Sequence, residues 1–366
     1  MKLILTCGGT GGHITPALAI AATVRENDPR AEILFVGSER GMEREMVARA
    51  GYPIRVLRVE GLVRRLTPAN IRVLWHAARA VREAEKLIRT FAPDAVVGTG
   101  GYACYPTLSA AARMGIPTAV HESNAVPGLA VRRLARRVDR VWLGFEAARA
   151  DLPRGVDALV VGNPLPVGVQ GARGKAEYPR GCERMLLSFG GSLGAKELNR
   201  AVLALMERER EMRGLYHLHA TGRGGYEKFV REMRMRGLDA LENVKVVPFI
   251  EDMPFRMRAA DLVICRAGAM SISELAAAGK AAVLIPSPNV TGNHQYRNAK
   301  ALADSGAAVL LEESDAVAKL PSLVAELMAN GGARAQLSEK IANFGKGNAN
   351  RLIYEDLQRL IAKGRA

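Results

Sequence analysis

The sequence predicts an α/β protein of two doubly wound, Rossmann-like parallel sheets, one in each half of the chain. Three observations predict it. Short Val/Ile/Leu runs alternate with stretches of helical spacing along all 366 residues, as in repeated strand–helix units. Several of these runs are apolar throughout, as expected of parallel strands covered on both faces. Glycine clusters follow the first strand of each half and recur at later strand ends.

In order, the first half reads as strands at 2–7, 32–37, 54–59, 95–98, 118–121 and 138–143. Helical spacing falls between them at 16–26, 41–50, 68–91, 106–114 and 128–137, with Pro at or near several starts, where its missing N–H is tolerated. A second series of strands occupies 185–189, 216–220, 244–247, 262–265, 281–285 and 307–310, and 348–361 is a last amphipathic helix. These readings divide the chain into a domain at 1–162, a Gly- and Pro-rich linker at 163–180, a second domain at 181–345 and a terminal helix at 346–366. Two such domains facing each other predict a ligand cleft at the carboxyl ends of both sheets.

Composition excludes several classes. Hydrophobic residues are 48% and charged residues 24%, which rules out wholesale disorder. No apolar run approaches the roughly 18 residues of a membrane span, and the stretch before Gly8 is too short for a signal peptide. Cys7, Cys104, Cys182 and Cys265 lie far apart with no Cys-x-x-Cys pair, so a soluble, intracellular protein with reduced thiols is expected. The net charge of +15 calls for an anionic partner. In residues 1–150, 22 basic side chains face 13 acidic ones, and segments 61–89 (seven and two) and 131–140 (five and one) supply the whole excess. Aromatics are only 5%, with Trp75 alone in the main basic stretch. That argues against nucleic acid, whose binding grooves interleave aromatics with cations.

The glycine loops fail the usual nucleotide motifs. A dinucleotide fingerprint begun at Gly9 meets Ile14 where its third glycine belongs, and the loop 190–195 continues into Lys196-Glu197 rather than a P-loop's Gly-Lys-Ser/Thr. There is no Asp-x-Asp pair to hold a metal–diphosphate complex. What remains are loops that cradle phosphate with backbone N–H groups and a helix N-terminus, with Ser192 adding a hydroxyl. A nucleotide-sugar transferase needing neither cofactor nor metal fits this better than a kinase.

Seven motifs occur in order: Gly8-Gly9-Thr10-Gly11-Gly12-His13-x-x-Pro16, Gly100-Gly101-Tyr102, His121-Glu122-x-Asn124, Val161-Gly162-Asn163-Pro164, Gly190-Gly191-Ser192-x-Gly194-Ala195, Cys265-Arg266-x-Gly268-Ala269 with Ser273-Glu274, and Gln295-Tyr296-x-Asn298-Ala299. Together they resemble the MurG family of peptidoglycan N-acetylglucosaminyltransferases over nearly the whole chain. The resemblance implies a GT-B fold, UDP-N-acetylglucosamine as donor, lipid I as acceptor, inversion at the anomeric carbon, and work at the cytoplasmic face of the bacterial inner membrane. It also places Ile250, through its backbone, on the uracil, and Asn124 and Gln295 on the donor.

The residues carry their own logic beside it. His13 closes the first loop, and an imidazole with an ordinary pKa near 6.5 suits deprotonation of an attacking hydroxyl; orienting a phosphate or capping the next helix is the alternative. Glu122 is the rival base, or else an internal acid. Glu274 can accept both ribose hydroxyls, behind the backbone stretch Ala269, Met270, Ser271, Ile272 and Ser273. Thr10, Gly11 and Gly12 join Ser192 on the phosphate side. Three residues depart from the family pattern: Pro166 stands for an arginine, and Leu193 and Ser123 stand for glutamines, so Arg223 or Arg266 is a candidate replacement cation.

The stretch 61–91 reads as membrane-facing. Arg72, Arg79, Arg82, Lys86 and Arg89 share one helical face beside Ile71, Leu74, Trp75, Ala78 and Val81, and Arg64, Arg65 and the cluster Arg132, Arg133, Arg136 and Arg137 add charge. A basic face next to an apolar stripe favours anionic headgroups; a solvated helix face is the alternative.

Overall fold

The structure, a computed structural model, describes residues 1–39, 41–59, 69–166, 179, 181–191, 194–345 and 347–364, side chains excepted at 69–77 and 291. The chain divides into two compact units, Met1–Val167 with Lys346–Ala366, and Gly168–Gly345. Residues 167–178 and 180 of the expected linker lie outside the described residues.

The first unit runs β1 (Lys2–Thr6), α1 (Gly11–Asn27), β2 (Glu32–Ser38), α2 (Glu43–Arg49), β3 (Ile54–Leu57), α3 (Ala69–Phe91), β4 (Ala95–Gly98), α4 (Cys104–Arg113), β5 (Thr118–Glu122), α5 (Leu129–Leu134), β6 (Arg140–Leu143) and β7 (Ala158–Val160). Its seven parallel strands are ordered β3-β2-β1-β4-β5-β6-β7. The order reverses between β1 and β4, where Thr6 pairs with Gly98. The loops after these two strands therefore leave side by side, the usual place for a ligand in such a sheet. One face is covered by α1 and α2, the other by α3, α4 and α5.

The expected strands and helices are present with shifted ends, and two differences have physical reasons. Helix α1 begins at Gly11, with Pro16 inside it; the missing amide costs only the bond to the Gly12 carbonyl, so the helix can start on the glycine loop. Strand β7 is three residues long and was not expected, being too short to show a period. On α3 the inward stripe is Ala80, Ala84 and Ile88, while Ala78, Arg79, Arg82, Lys86 and Arg89 are exposed. The terminal helix, α13 (Ala349–Gly364), packs on the first unit through Ile353, Leu357 and Ile361. There Asp356 Oδ2 accepts Trp142 Nε1–H at 2.8 Å and pairs with Arg140 Nε at 2.9 Å.

The second unit contains β8 (Arg184–Phe189), α6 (Lys196–Glu209), β9 (Leu215–Ala220), α7 (Tyr226–Met235), β10 (Val244–Val247), α8 (Met253–Ala259), β11 (Leu262–Cys265), α9 (Ala269–Ala278), β12 (Ala282–Leu284), α10 (His294–Asp304), β13 (Val309–Leu310), α11 (Glu313–Ala329) and α12 (Gly331–Ala342); α13 above is Ala349–Gly364. Its parallel order is β10-β9-β8-β11-β12-β13. The reversal falls between β8 and β11, which brings the loop from Gly190 beside the turn at Arg266–Gly268.

Candidate active site

In the first unit, β1 and β4 deliver two glycine loops to one point. Gly101, at φ 92°, lies so close that a Cβ there would stand 2.3 Å from the Gly8 carbonyl oxygen, so only glycine allows the loops to meet. Gly100, at φ 111°, would likewise drive a Cβ to 2.3 Å from His13 Nδ1. Beside it, Thr99 holds His13 twice. Its carbonyl oxygen lies 3.0 Å from Nδ1, and its hydroxyl donates to the His13 carbonyl at 2.7 Å. A carbonyl only accepts, so Nδ1 carries the proton and Nε2 presents a lone pair. That is the tautomer a general base requires. Thr10 opens α1 with no side-chain cap, so the first N–H groups of the helix, at Gly11 and Gly12, point outward for an anion.

Glu122, at the end of β5, is differently placed. One carboxylate oxygen accepts the Asn124 N–H and Nδ2–H, both at 2.9 Å, and the other accepts Gly128 N–H at 2.8 Å. The carboxylate is buried and orders its own loop, with Asn124 engaged in the same bonds. Neighbouring His121 is fully buried, donates Nε2–H to Gly162 O at 3.0 Å and is pushed down to about 4 by that burial, so it is neutral at pH 7.

In the second unit, a cavity of about 570 Å³ opens at the switch point. Gly190, Gly191, Arg266, Ser287, Gln295 and Glu313 are among its walls. Gln295 Oε1 accepts Ser287 N–H at 2.8 Å, which turns its NH₂ toward use as a donor. Arg266 is ion-paired with Glu313 and donates to Ile285 O at 3.0 Å, so the guanidinium is fixed at the wall. After Gly268, α9 starts without a side-chain cap, so its first amides, at Ala269, Met270 and Ser271, have the arrangement in which a helix N-terminus can accept an anion. Ile272 is buried in the core, while Ser273 Oγ–H is turned back to Ala269 O at 3.0 Å. One turn further, Glu274 is only partly exposed, and desolvation pushes its carboxyl up to about 7. Ile250 buries its side chain, so only its backbone can serve a ligand. A larger depression of about 650 Å³ between α6 and α7 contains none of the expected site residues.

The expected residues thus fall into two groups. His13, Glu122, Thr10, Gly11, Gly12 and Asn124 belong to the first unit; Ile250, Ala269 through Glu274 and Gln295 belong to the second. Ser192, Arg64 and Arg65 lie outside the described residues, as do the side chains of Arg72 and Trp75. Arg133 is exposed on α5. Sequence reasoning missed Thr99, which meets the His13 ring through a backbone carbonyl, and Glu43, buried beneath the first glycine loop.

Two doubly wound parallel sheets with glycine loops at both switch points define a GT-B protein, a class that contains nucleotide-sugar transferases and epimerases. Residues 3–143 match the glycosyltransferase family 28 N-terminal domain, and residues 185–353 match the family 28 C-terminal domain. The chain belongs to glycosyltransferase family 28, in its MurG branch. The UDP-N-acetylglucosamine–N-acetylmuramyl-(pentapeptide) pyrophosphoryl-undecaprenol N-acetylglucosamine transferase of Acetivibrio thermocellus is 39% identical over 97% of each chain. Proteins of that name from Desulforamulus reducens and Bacillus subtilis are 40% and 37% identical, over 94% and 98% of this chain and 93% and 99% of theirs. The crystal structure of Acinetobacter baumannii MurG matches with a TM-score of 0.79 at 28% identity, over 98% of this chain and 99% of that one. A UDP-GlcNAc 2-epimerase from Neisseria meningitidis, bound to UDP-GlcNAc, shares the fold alone, with a TM-score of 0.66 at 13% identity over 98% of this chain and 100% of that one.

Proposed function

We propose that this protein transfers N-acetylglucosamine from UDP-N-acetylglucosamine to the muramoyl hydroxyl of lipid I, giving lipid II with inversion at the anomeric carbon. The observation that carries the reading is end-to-end similarity, at 37–40% identity, to transferases named for that reaction. In the transfer, the acceptor oxygen bonds to the anomeric carbon while the bond to UDP breaks and UDP leaves with the electron pair. The acceptor proton passes to His13 Nε2, a role supported by the Thr99 carbonyl that fixes the tautomer. The amides of Ala269 through Ser271, with Arg266 in place of the arginine that Pro166 replaces, stabilise the departing diphosphate. Glu274 accepts the ribose hydroxyls, the backbone of Ile250 reads uracil, and the Gln295 NH₂ serves the sugar. Glu122 orders the loop that carries Asn124, and Asn124, like Gln295, serves the donor.

Incubation with radiolabelled UDP-N-acetylglucosamine and a lipid I analogue tests the reaction, with and without EDTA. Labelled lipid product in both arms is expected. No labelled lipid under any condition, or a rearranged sugar nucleotide in its place, overturns the reading, and loss with EDTA alone overturns metal independence.

The same reading puts the protein on the cytoplasmic membrane surface as a peripheral enzyme. No described helix is long and apolar enough to cross a membrane. The helices α3 and α5 cover the same sheet face, and both expose cations, Arg79, Arg82, Lys86 and Arg89 on one and Arg132 and Arg133 on the other. Changing Arg79, Arg82 and Lys86 together to Gln keeps helix propensity close to unchanged. Binding to vesicles containing anionic lipid should weaken by about 2–3 kcal/mol at roughly 1 kcal/mol per charge, because Arg79 shares its charge with Glu83 at 2.9 Å. Sedimentation with vesicles at low salt measures this, and equal binding by mutant and wild type would mean a merely solvated face.

A further inference from the structure

Beneath the first glycine loop lies a carboxylate that the transfer chemistry above does not use. Glu43, the first residue of α2, is 0% exposed. Its Oε1 accepts the Ser38 N–H at 2.8 Å and the Ser38 hydroxyl at 2.5 Å, and its Oε2 accepts the Gly9 N–H at 3.2 Å. Three glycines make room for it: a Cβ would stand 1.9 Å from its Oε2 at Gly41, 2.6 Å from its Cγ at Gly37 and 3.0 Å from its Oε1 at Gly8. Burial opposes its ionisation, yet the Ser38 and Gly9 donors hold the carboxyl below its ordinary value. A buried charge supplied with donors in this way is a rigid strut rather than a solvated side chain.

We infer that Glu43 is a positioning residue for His13. The Gly8–Gly9 backbone is held between two surfaces, the second glycine loop at Gly101 on one side and the Glu43 carboxylate on the other. Immediately beyond it, the Thr10 carbonyl accepts the His13 and Ile14 amides at 3.0 and 3.2 Å, which starts α1. The backbone of His13 hangs from this loop, while its ring is tied to Thr99 on β4. Pinning Gly9 sets the separation between those two attachments. A shift of the loop would turn Nε2 away from the acceptor without removing any group that touches it, and a misplacement of this kind can lower a rate about a hundredfold.

The inference rests on His13 being the base, and the experiment separates the two. Glu43→Gln keeps the size and the Ser38 contacts but sets an NH₂ against the Gly9 N–H. Gly41→Ala keeps the charge and pushes Oε2 aside with a methyl group. Ser38→Ala removes one hydroxyl and leaves the Gly9 bond intact. Steady-state kinetics of all three are measured well below their melting temperatures, with UDP affinity by calorimetry. E43Q and G41A should each lower kcat by about 10–100-fold with UDP affinity unchanged, whereas S38A should lower the melting temperature and keep the wild-type kcat. In the H13A background, E43Q should cause no further loss, because residues acting through one group are not additive. Wild-type kcat in G41A, an equal loss in S38A, or full additivity with H13A overturns the inference. Should E43Q not fold, G41A and S38A still decide it. An H13A variant with wild-type kcat instead overturns the base assignment.

Discussion

Replacing His13 with alanine is expected to lower kcat about 10²–10⁴-fold, the usual contribution of a positioned general base. The imidazole is prepared for that role before any substrate arrives. Its Nδ1–H is committed to the Thr99 carbonyl, so no tautomer has to be selected and only Nε2 is left to receive a proton. UDP affinity should change little, since the uracil, ribose and diphosphate contacts proposed at Ile250, Glu274 and Ala269 through Ser271 belong to the second unit and the Thr10–Gly12 backbone is kept. Because the ring also fills the space beside Gly100, melting temperature is measured alongside, and the comparison is made on folded protein. A loss confined to KM would reduce His13 to a substrate-positioning group. Glu122 would then be the better candidate for the base, its Oε2 accepting the Gly128 N–H and its Oε1 the two Asn124 groups.

Glu274→Ala should weaken UDP binding by about 2–3 kcal/mol, the range for losing charge-assisted hydrogen bonds, or roughly 30–150-fold in Kd. The wild-type carboxyl adds a pH signature. Desolvation raises it to about 7 in the free protein. Ribose hydroxyls donating to the carboxylate favour its charged form, so binding lowers the pKa and releases a proton. Affinity is then complete above pH 7 and falls as pH drops. With a free-state value of about 7, binding should be about tenfold weaker at pH 6 than at pH 8, since each pKa unit is about 1.36 kcal/mol. Uridine is the appropriate probe, having no phosphate of its own to titrate. Calorimetry with uridine should show this slope in the wild type and a flat profile in Glu274→Gln. A flat wild-type profile would remove Glu274 from the ribose.

The amino-acid sequence by itself determined the fold class, the parallel character of both sheets and the family. Each rests on information local in the chain: apolar runs too continuous for one-sided strands, strand–helix alternation, and glycines at strand ends. It also singled out Glu274 as a candidate, because a carboxylate one turn into a helix that follows a strand and a glycine is a local pattern. Tertiary structure decided which loops meet. Gly101 lies against Gly8, and Thr99 holds His13 across 86 residues of sequence, because the strand order reverses between β1 and β4 and no local signal reports that order. It set the two candidate bases in different surroundings, the Glu122 carboxylate accepting N–H groups of its own loop and His13 Nδ1 facing the Thr99 carbonyl. Along the described side chains of α3 the buried stripe is Ala80, Ala84 and Ile88, with Val81 and Leu87 packed beside it and Ala78 exposed, since packing on the sheet selects a face by geometry and not by hydropathy alone. Helix α13 joined the first unit through Asp356 and Trp142, 214 residues apart. Glu43 was invisible for the same reason: in the sequence it is one more acidic residue in a first helical turn, and only the folded chain surrounds it with glycines and brings the Gly9 amide to its carboxylate.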